Sequence, residues 1–546
     1  MSRKEKMLEY TDRVFFLEKE VDEKQVAKNL QRRIFVNKNI TLIPKEEEPI
    51  EPLDKVTDVI KYDFSEIMKN NVTEKSFYEI HFRDFQVQGF TLDIASKNVY
   101  VRNNLDTSFE DEVYDKKTLR VRNKVDLSGL KKDQFDERYG VITNIYKYLG
   151  THDIALVGSE FVHNKSVNFS YGREKEFDAA ETSALLELLE RRAMYEVEGE
   201  KIHTSLEEDD ANILVNPEPF LYYDPVDAIV APFDRKRKYT WLKVLDYKKK
   251  TFKYLPLQFF DMDCGDEPTF VLESSNGVAL GGSLQESRLF ALLELVERDA
   301  FLNFWYKKVK VYEIDRSSIP EASRKEIEIF EREGRTVYLL DITFDIEIPT
   351  VLCIVISEID SVSTYISTAS HINPEIAIKN AIYECLVGHR VYSSNETMSK
   401  KTYNNDYDVV DMTDHVSHAA KKSYIENYRF LMDGLEKKSI KELYKEYYDG
   451  KYDSFNNASE LLDYLLYEKM KDQEEIYFAD LTTELSYKNG FYISKIVSPK
   501  MLAMTFGHRN RRINKERIEW ALSHSKYKDK SCLERGSINE RVHPFP

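Results

Sequence analysis

A ten-residue helix-forming block occurs twice: ALLELLERRA at 184–193 returns as ALLELVERDA at 291–300, and the copies differ only at Leu189/Val296 and Arg192/Asp299. Leucines at helical spacing demand two amphipathic helices with the same acidic face. In the first, Ser183, Glu187 and Glu190 fall at i, i+4 and i+7 and share that face; in the second, Glu294 and Glu297 stand one turn apart. A Glu beside an Arg on a single helix ordinarily forms a surface ion pair of about 0.3–0.5 kcal/mol. Duplication argues for more. Packed side by side, the copies would gather four carboxylates, whose repulsion calls for cations, and oxygen-only ligands select Mg2+, which uses carboxylates together with substrate phosphates. Arg191 and Arg298 are then placed to meet phosphate oxygens. Glu286 lies about 16 Å along the axis from Glu297 and must meet a different part of any shared ligand. A di-iron bundle needs ExxH on two helices, and both copies here read ExxE.

The 546 residues carry 96 acidic against 79 basic side chains, a net charge of −17, which disfavours broad binding to nucleic acid or anionic membrane. Cys264, Cys353, Cys385 and Cys532 are scattered singly, so neither a disulfide framework nor a CxxC zinc site is indicated, and a reducing cytoplasm is the expected location. Apolar runs such as TVLCIVI are too short to span a bilayer. Strand-like and helical segments alternate from about residue 126, which predicts an α+β fold. Residues 1–125, with the charged stretch IPKEEEPIEPLDK and the partly alternating YEIHFRDFQVQGFTLDI, read as an N-terminal accessory region. Residues 126–546 read as one catalytic domain, and the polar, Lys/Tyr/Asn-rich stretch 396–472 as an insertion in it. The basic run FGHRNRRINKER reads as a solvated face, with contact to phosphate or an acidic peptide as its other reading. Before the second helix, SSNGVALGGSLQE offers glycines for close backbone approach. It also holds a candidate capping box, with Ser283 as N-cap and Glu286 at N3. GxxxxGK[ST] is absent, so this is no Walker-type loop.

Three segments together resemble the YcaO family: SYGREKEFDAAETSALLELLERR, SSNGVALGGSLQESRLFALLELVERDAF, and the stretch from IYFADLTTELSYKNGFYISKIVSP to HPFP. The resemblance implies a YcaO-type α+β fold whose mixed sheets and helices line a carboxylate-rich ATP site. By motif position it implies Glu187, Glu190, Glu294 and Glu297 as Mg2+ ligands. Ser183, Arg191, Asn276, Glu286, Arg298 and Glu384 become nucleotide contacts, and Arg390 a phosphate contact. It also implies ATP-dependent activation of a backbone amide. In the azoline-forming branch a Cys, Ser or Thr side chain of a precursor peptide attacks the preceding carbonyl, the oxyanion takes the γ-phosphoryl group, and phosphate leaves as a thiazoline or oxazoline forms. The family's proline-rich C-terminus is matched here by VHPFP, so Pro544 and Pro546 are expected at the active site, with a terminal carboxylate assisting proton transfer.

Three positions depart from the pattern. Gly282 stands where many relatives have Asn, Val387 where Gln is common with the following arginine shifted to Arg390, and Arg173 replaces a lysine. Implied partners are a ribosomal precursor peptide, an E1/ThiF-like leader-binding protein, a flavin-dependent azoline dehydrogenase and a second copy of the chain as a homodimer, with no nucleic acid and no membrane. Thioamide or amidine formation by the same activation, and a weakened scaffold presenting peptide to an active relative, are the rival readings.

Overall fold

A computed structural model describes residues 113–546 except 123, 150–152, 164–165, 225–226, 266, 395–400 and 433, together with the backbone of four short strands nearer the start. Those strands, β1 (Lys6–Glu9), β2 (Arg13–Leu17), β3 (Phe77–His81) and β4 (Val87–Phe90), pair in sequence order as an antiparallel sheet. The alternating stretch 78–94 thus contains strands at β3 and β4. The charged stretch 43–55 lies outside the described residues.

From Asn144 onward the chain builds three sheets and covers each with a helix. A three-stranded antiparallel sheet runs β5 (Asn144–Tyr148), β6 (Ala155–His163) and β7 (Ser166–Glu174), and α1 (Phe177–Ala193), which carries the first acidic block, returns across β6 and β7. A six-stranded sheet contains β8 (Lys201–Thr204), β9 (Tyr239–Asp246), β10 (Thr251–Pro256), β11 (Val278–Gly281), β17 (Tyr477–Asp480) and β18 (Tyr492–Val497). Its order is β10-β9-β17-β18-β11, with β8 paired to β9. A five-stranded sheet has the order β15-β14-β13-β12-β16. Its strands are β12 (Tyr312–Ile314), β13 (Thr336–Asp341), β14 (Thr350–Ile356), β15 (Thr364–Ser370) and β16 (Lys437–Lys438), antiparallel except for the parallel β12/β16 pair.

The second acidic block lies in α2 (Leu284–Lys307), and α3 (Glu321–Arg332), α4 (Pro374–Ser394), α5 (Met412–Ala419) and α6 (Lys515–Ser523) are the other helices used below. Ser283 caps α2 by accepting the Glu286 N–H, a contact worth about 1 kcal/mol. Nearly every residue of α2 is buried, because it is the spine of the molecule. Its first half packs with Tyr114, Leu119 and Leu461–Leu466, and its second half with one face of the five-stranded sheet and with Tyr424, Tyr428 and Phe545. The chain from Tyr114 is therefore built into the same body as α2, and the boundary drawn at 125 from composition falls inside this stretch. The opposite face of the five-stranded sheet is covered by α3 and α4. Within the stretch 396–472, read as an insertion, Val416, Ala420, Tyr424, Tyr428, Ile440 and Leu461 all belong to these cores.

The basic run 506–517 is not a solvated face. Arg512 donates to Glu273 at 2.5 Å, while Arg517 is buried between Asp299 and Asp345. Buried cations are tolerated because buried carboxylates meet them. This also accounts for one difference between the repeated blocks. Arg192 pairs with Glu196 on its own side of α1, whereas Asp299 ties α2 to Arg517 of α6 and to the Leu502 amide.

Candidate active site

Two close backbone crossings bring the acidic faces together. A Cβ at Gly172 of β7 would sit 1.8 Å from the Ala180 carbonyl oxygen, so only glycine lets β7 lie this close to α1. The neighbouring Tyr171 amide thereby reaches Glu187 Oε2 at 2.9 Å. At Gly281 a Cβ would sit 2.4 Å from the Ser287 nitrogen, and the tight entry into α2 leaves the Leu280 amide donating to Glu190 Oε2 at 2.7 Å. Strand β11 thus bridges the two acidic helices, which meet across it rather than flank to flank.

Around this bridge the four glutamates are half-buried and close enough to feel one another. Burial, then Glu294 and Glu187, push Glu190 up to about 8. Burial pushes Glu294 up to about 7, with Glu297 adding to the rise and Arg298 opposing it. Burial also raises Glu297, against the pull of Arg298, although its carboxylate accepts from Thr368 Oγ1 at 2.6 Å and the Ser370 amide at 3.1 Å. Arg191 Nε contacts Glu187 at 2.7 Å; Arg298 Nη2 contacts Glu294 at 3.1 Å and its Nη1 pairs with Glu297. Burial works against the charge of Arg298, but Glu297, Glu294 and Glu384 outweigh it. Among the described residues no three His, Cys, Asp or Glu side chains converge as a ready cage for one ion. The arginines and the Leu280 amide hold the carboxylates apart in pairs.

Beside the pairs lies a cavity of about 340 Å3. Arg191, Asn276, Arg298, Ser367, Glu384 and Pro546 line it. Asn276 Oδ1 accepts from Arg298 Nε at 2.8 Å, and Glu384 of α4 accepts from Ser367 Oγ at 2.8 Å. Phe545 lies beneath the Arg298 guanidinium, 4.4 Å from ring centre to Cζ. Pro544 is buried and Pro546 partly so. The site therefore gathers Glu187, Glu190, Glu294, Glu297, Arg191, Asn276, Arg298, Glu384 and Pro546. Ser183 is half-buried on α1, one turn before Glu187.

Two expected residues are engaged elsewhere. The Glu286 carboxylate does not close a capping box; it is 2% exposed and held by Arg120 Nη1 and the Val121 amide, both at 2.9 Å. Arg390 leaves the site altogether: it ion-pairs with Glu333 at 3.0 Å and packs on Phe330. One residue of shift on a helix is a rotation of about 100°, which turns Arg390 toward α3. The cation actually beside Glu384 is Arg173, 3.5 Å away. Residue types alone could not reveal Thr368, Ser370 or the two backbone amides, because each donates from a strand that only packing sets against the acidic helices.

Fold and site define a class: an α+β protein whose buried acidic pairs, arginines and adjoining cavity suit divalent cations held against a polyphosphate. A family model described as YcaO cyclodehydratase, ATP- and Mg2+-binding, matches residues 171–502. The chain belongs to the YcaO family. Its ligands are ATP and Mg2+, and the residues present fit them, since Glu187 clusters with three carboxylates of raised proton affinity, Glu190, Glu294 and Glu297, and such a cluster needs cationic partners. The fold is shared with a heterocyclase in complex with substrate and cofactor (TM-score 0.72, 16% identity, covering 100% of this chain and 78% of that one). It is shared also with the heterocyclase TruD (TM-score 0.61, 15% identity, covering 99% and 75%). An uncharacterized protein in the tfuA 3' region of Rhizobium leguminosarum bv. trifolii is 28% identical over 189 residues, 34% of this chain and 44% of that protein. The chain thus spans less than half the length of this curated relative. No helix among the described residues is long and apolar enough to cross a membrane.

Proposed function

We propose that the protein is the ATP-dependent cyclodehydratase component of a peptide-modifying system, activating backbone amides of a ribosomal precursor peptide to form thiazoline or oxazoline rings from Cys, Ser or Thr. One observation carries the reading: the four glutamates and the Arg191/Arg298 pair meet beside a cavity into which Pro546 reaches. Mg2+–ATP supplies the phosphoryl group that turns an amide oxygen into a leaving group. In this reading Glu187, Glu190, Glu294 and Glu297 hold the metal ions. Arg191, Asn276, Arg298 and Glu384 organise nucleotide, with Ser183 reaching its other parts, and Pro544 and Pro546 shape the reacting end. Such chemistry asks the protein chiefly for positioning and charge neutralisation. The heterocyclase neighbours support the peptide substrate. An E1/ThiF-like protein would deliver the leader of that peptide, and a flavin-dependent dehydrogenase would oxidise azolines afterwards.

The test combines the protein, Mg2+–ATP, the precursor encoded beside its gene and that partner. Precursor-stimulated phosphate release and a loss of about 18 Da per modified residue are expected. A gain of about 16 Da, oxygen replaced by sulfur, would assign thioamide formation instead, and no stimulated phosphate release would assign the scaffold role.

A further inference from the structure

The segment 539–546 approaches the cavity along a track of side chains that belong to other parts of the chain. Trp305 Nε1 donates to the Arg541 carbonyl at 3.0 Å, and Asp406 Oδ2 accepts from the Val542 amide at 3.2 Å. The Tyr424 hydroxyl donates to the Val542 carbonyl, and His415 Nδ1 donates to the His543 carbonyl at 2.7 Å. Arg511 Nη1 also donates to the Glu540 carbonyl at 3.2 Å, and three of these holders, Asp406, His415 and Tyr424, come from the stretch whose composition reads as an insertion. After His543 come Pro544, Phe545 and Pro546; neither proline has an N–H, so this stretch cannot form a regular backbone ladder. Among the described residues, the last backbone atom held by a side chain before the cavity is the His543 carbonyl.

We propose that residues 406–424 form a clamp that seats the segment 539–546 at the catalytic cavity, and that His415 is its positioning residue. The proposal rests on the reading of Pro544 and Pro546 as parts of the reacting end.

His415 fits the role because its two ring nitrogens do opposite jobs. Nδ1–H donates to the His543 carbonyl, while Nε2 accepts from the Gly507 amide at 2.9 Å. Only the neutral ring with its proton on Nδ1 can do both. Burial holds it in that form, pulling its pKa down to about 4. The ring also packs on the His543 ring, 4.2 Å between centres, and edge-on to Phe506. His543 donates its Nε2–H to the Thr505 carbonyl at 2.9 Å, so both ends of the stack are tied to the 505–507 loop. Past the clamp, Phe545 packs on Phe301 at 5.0 Å and under Arg298, which carries the seating through to a residue of the site.

The test is amide hydrogen exchange of the peptide covering 539–546 in the full-length protein, read beside phosphate release from Mg2+–ATP. In His415→Ala the exchange of this peptide should rise about five- to tenfold, the worth of one buried hydrogen bond, while peptides from β14 and α2 keep their protection. His415→Asn places an amide donor where Nδ1 was and should restore protection. His415→Gln keeps only an acceptor toward Gly507 and should not. Tyr424→Phe removes a single hydroxyl, so it tests the same clamp should His415→Ala fail to fold, and it should also speed exchange. Unchanged exchange of 539–546 in Tyr424→Phe and in a folded His415→Ala overturns the clamp. Faster exchange with unchanged phosphate release upholds the clamp and overturns the catalytic role of the prolines it seats.

Discussion

Two glutamates drawn out of water beside one another resist ionising together, and Glu190 and Glu294 show the consequence. With their proton affinities raised to about 8 and about 7, the ligand-free site at pH 7 holds most of a proton on Glu190 and a share of one on Glu294. The sign follows from linkage. Both folded values lie above the ordinary 4.5, so the stability these protons contribute is full below pH 4.5 and is lost as pH rises through 7 to 8. Metal ions held by these glutamates, as proposed, would have to displace the same protons. Binding of Mg2+ with a non-hydrolysable ATP analogue at pH 7 should therefore release about one proton per protein. Calorimetry in buffers of different ionisation enthalpy reads that number directly, and a value near zero would remove these carboxylates from the metal site. Substitution probes the other two. Glu297→Gln keeps an oxygen for Thr368 and the Ser370 amide but is a poorer Mg2+ ligand, and Glu187→Gln likewise keeps one for the Tyr171 amide. Either should lower phosphate release by about a hundredfold or more while the melting temperature stays close to the parent's.

At the scale of the element, each acidic helix is aimed by the strand that precedes it, and a glycine sets each approach. Gly172→Ala would drive a methyl group into the Ala180 carbonyl, an overpacking in which neither partner is a flexible side chain. It should destabilise the protein by about 3 kcal/mol or more and weaken nucleotide binding, because α1 must back away and take Glu187 from the Tyr171 amide. Denaturant titration and nucleotide binding, measured on the same variant, check both. The same elements show what the sequence discloses. The two helices, the sharing of a face by Glu187 and Glu190, the Ser283 cap and strands such as Thr350–Ile356 follow from periodicity and capping chemistry, which are local. Long-range placement is not local. Arg390 follows Glu384 on one helix while Arg173 lies in a separate motif far upstream, yet only the fold decides that Arg390 meets Glu333 and Arg173 meets Glu384. The basic run 506–517 reads as solvent-exposed for the same reason, since Glu273, Asp299 and Asp345 lie more than a hundred residues away along the chain.

Over the whole molecule, the site stands where three sheets are joined by their covering helices: α1 on the three-stranded sheet, α2 against the six-stranded one, α4 on the five-stranded one. A ligand gripped by carboxylates of both α1 and α2, with Glu384 of α4 beside it, ties these layers together, so its binding energy should appear as stability of the entire fold. At a thousandfold excess over its dissociation constant a ligand of the native state adds about 4 kcal/mol. For a chain this long that corresponds to a rise of several degrees in melting temperature, since a larger unfolding entropy spreads each kcal/mol over fewer degrees. Mg2+ and a non-hydrolysable ATP analogue together should produce the rise, and EDTA should reverse it. Mg2+ alone should give little, because Arg191 and Arg298 already occupy Glu187, Glu294 and Glu297 and only a polyphosphate can draw the guanidinium groups away. Since protons on Glu190 and Glu294 would compete with a metal held there, the rise should be larger at pH 8 than at pH 6.5. Thermal unfolding at the two pH values with each ligand alone and with both decides the matter. An equal shift from Mg2+ alone, or one indifferent to pH, would mean that the cation binds outside the paired glutamates.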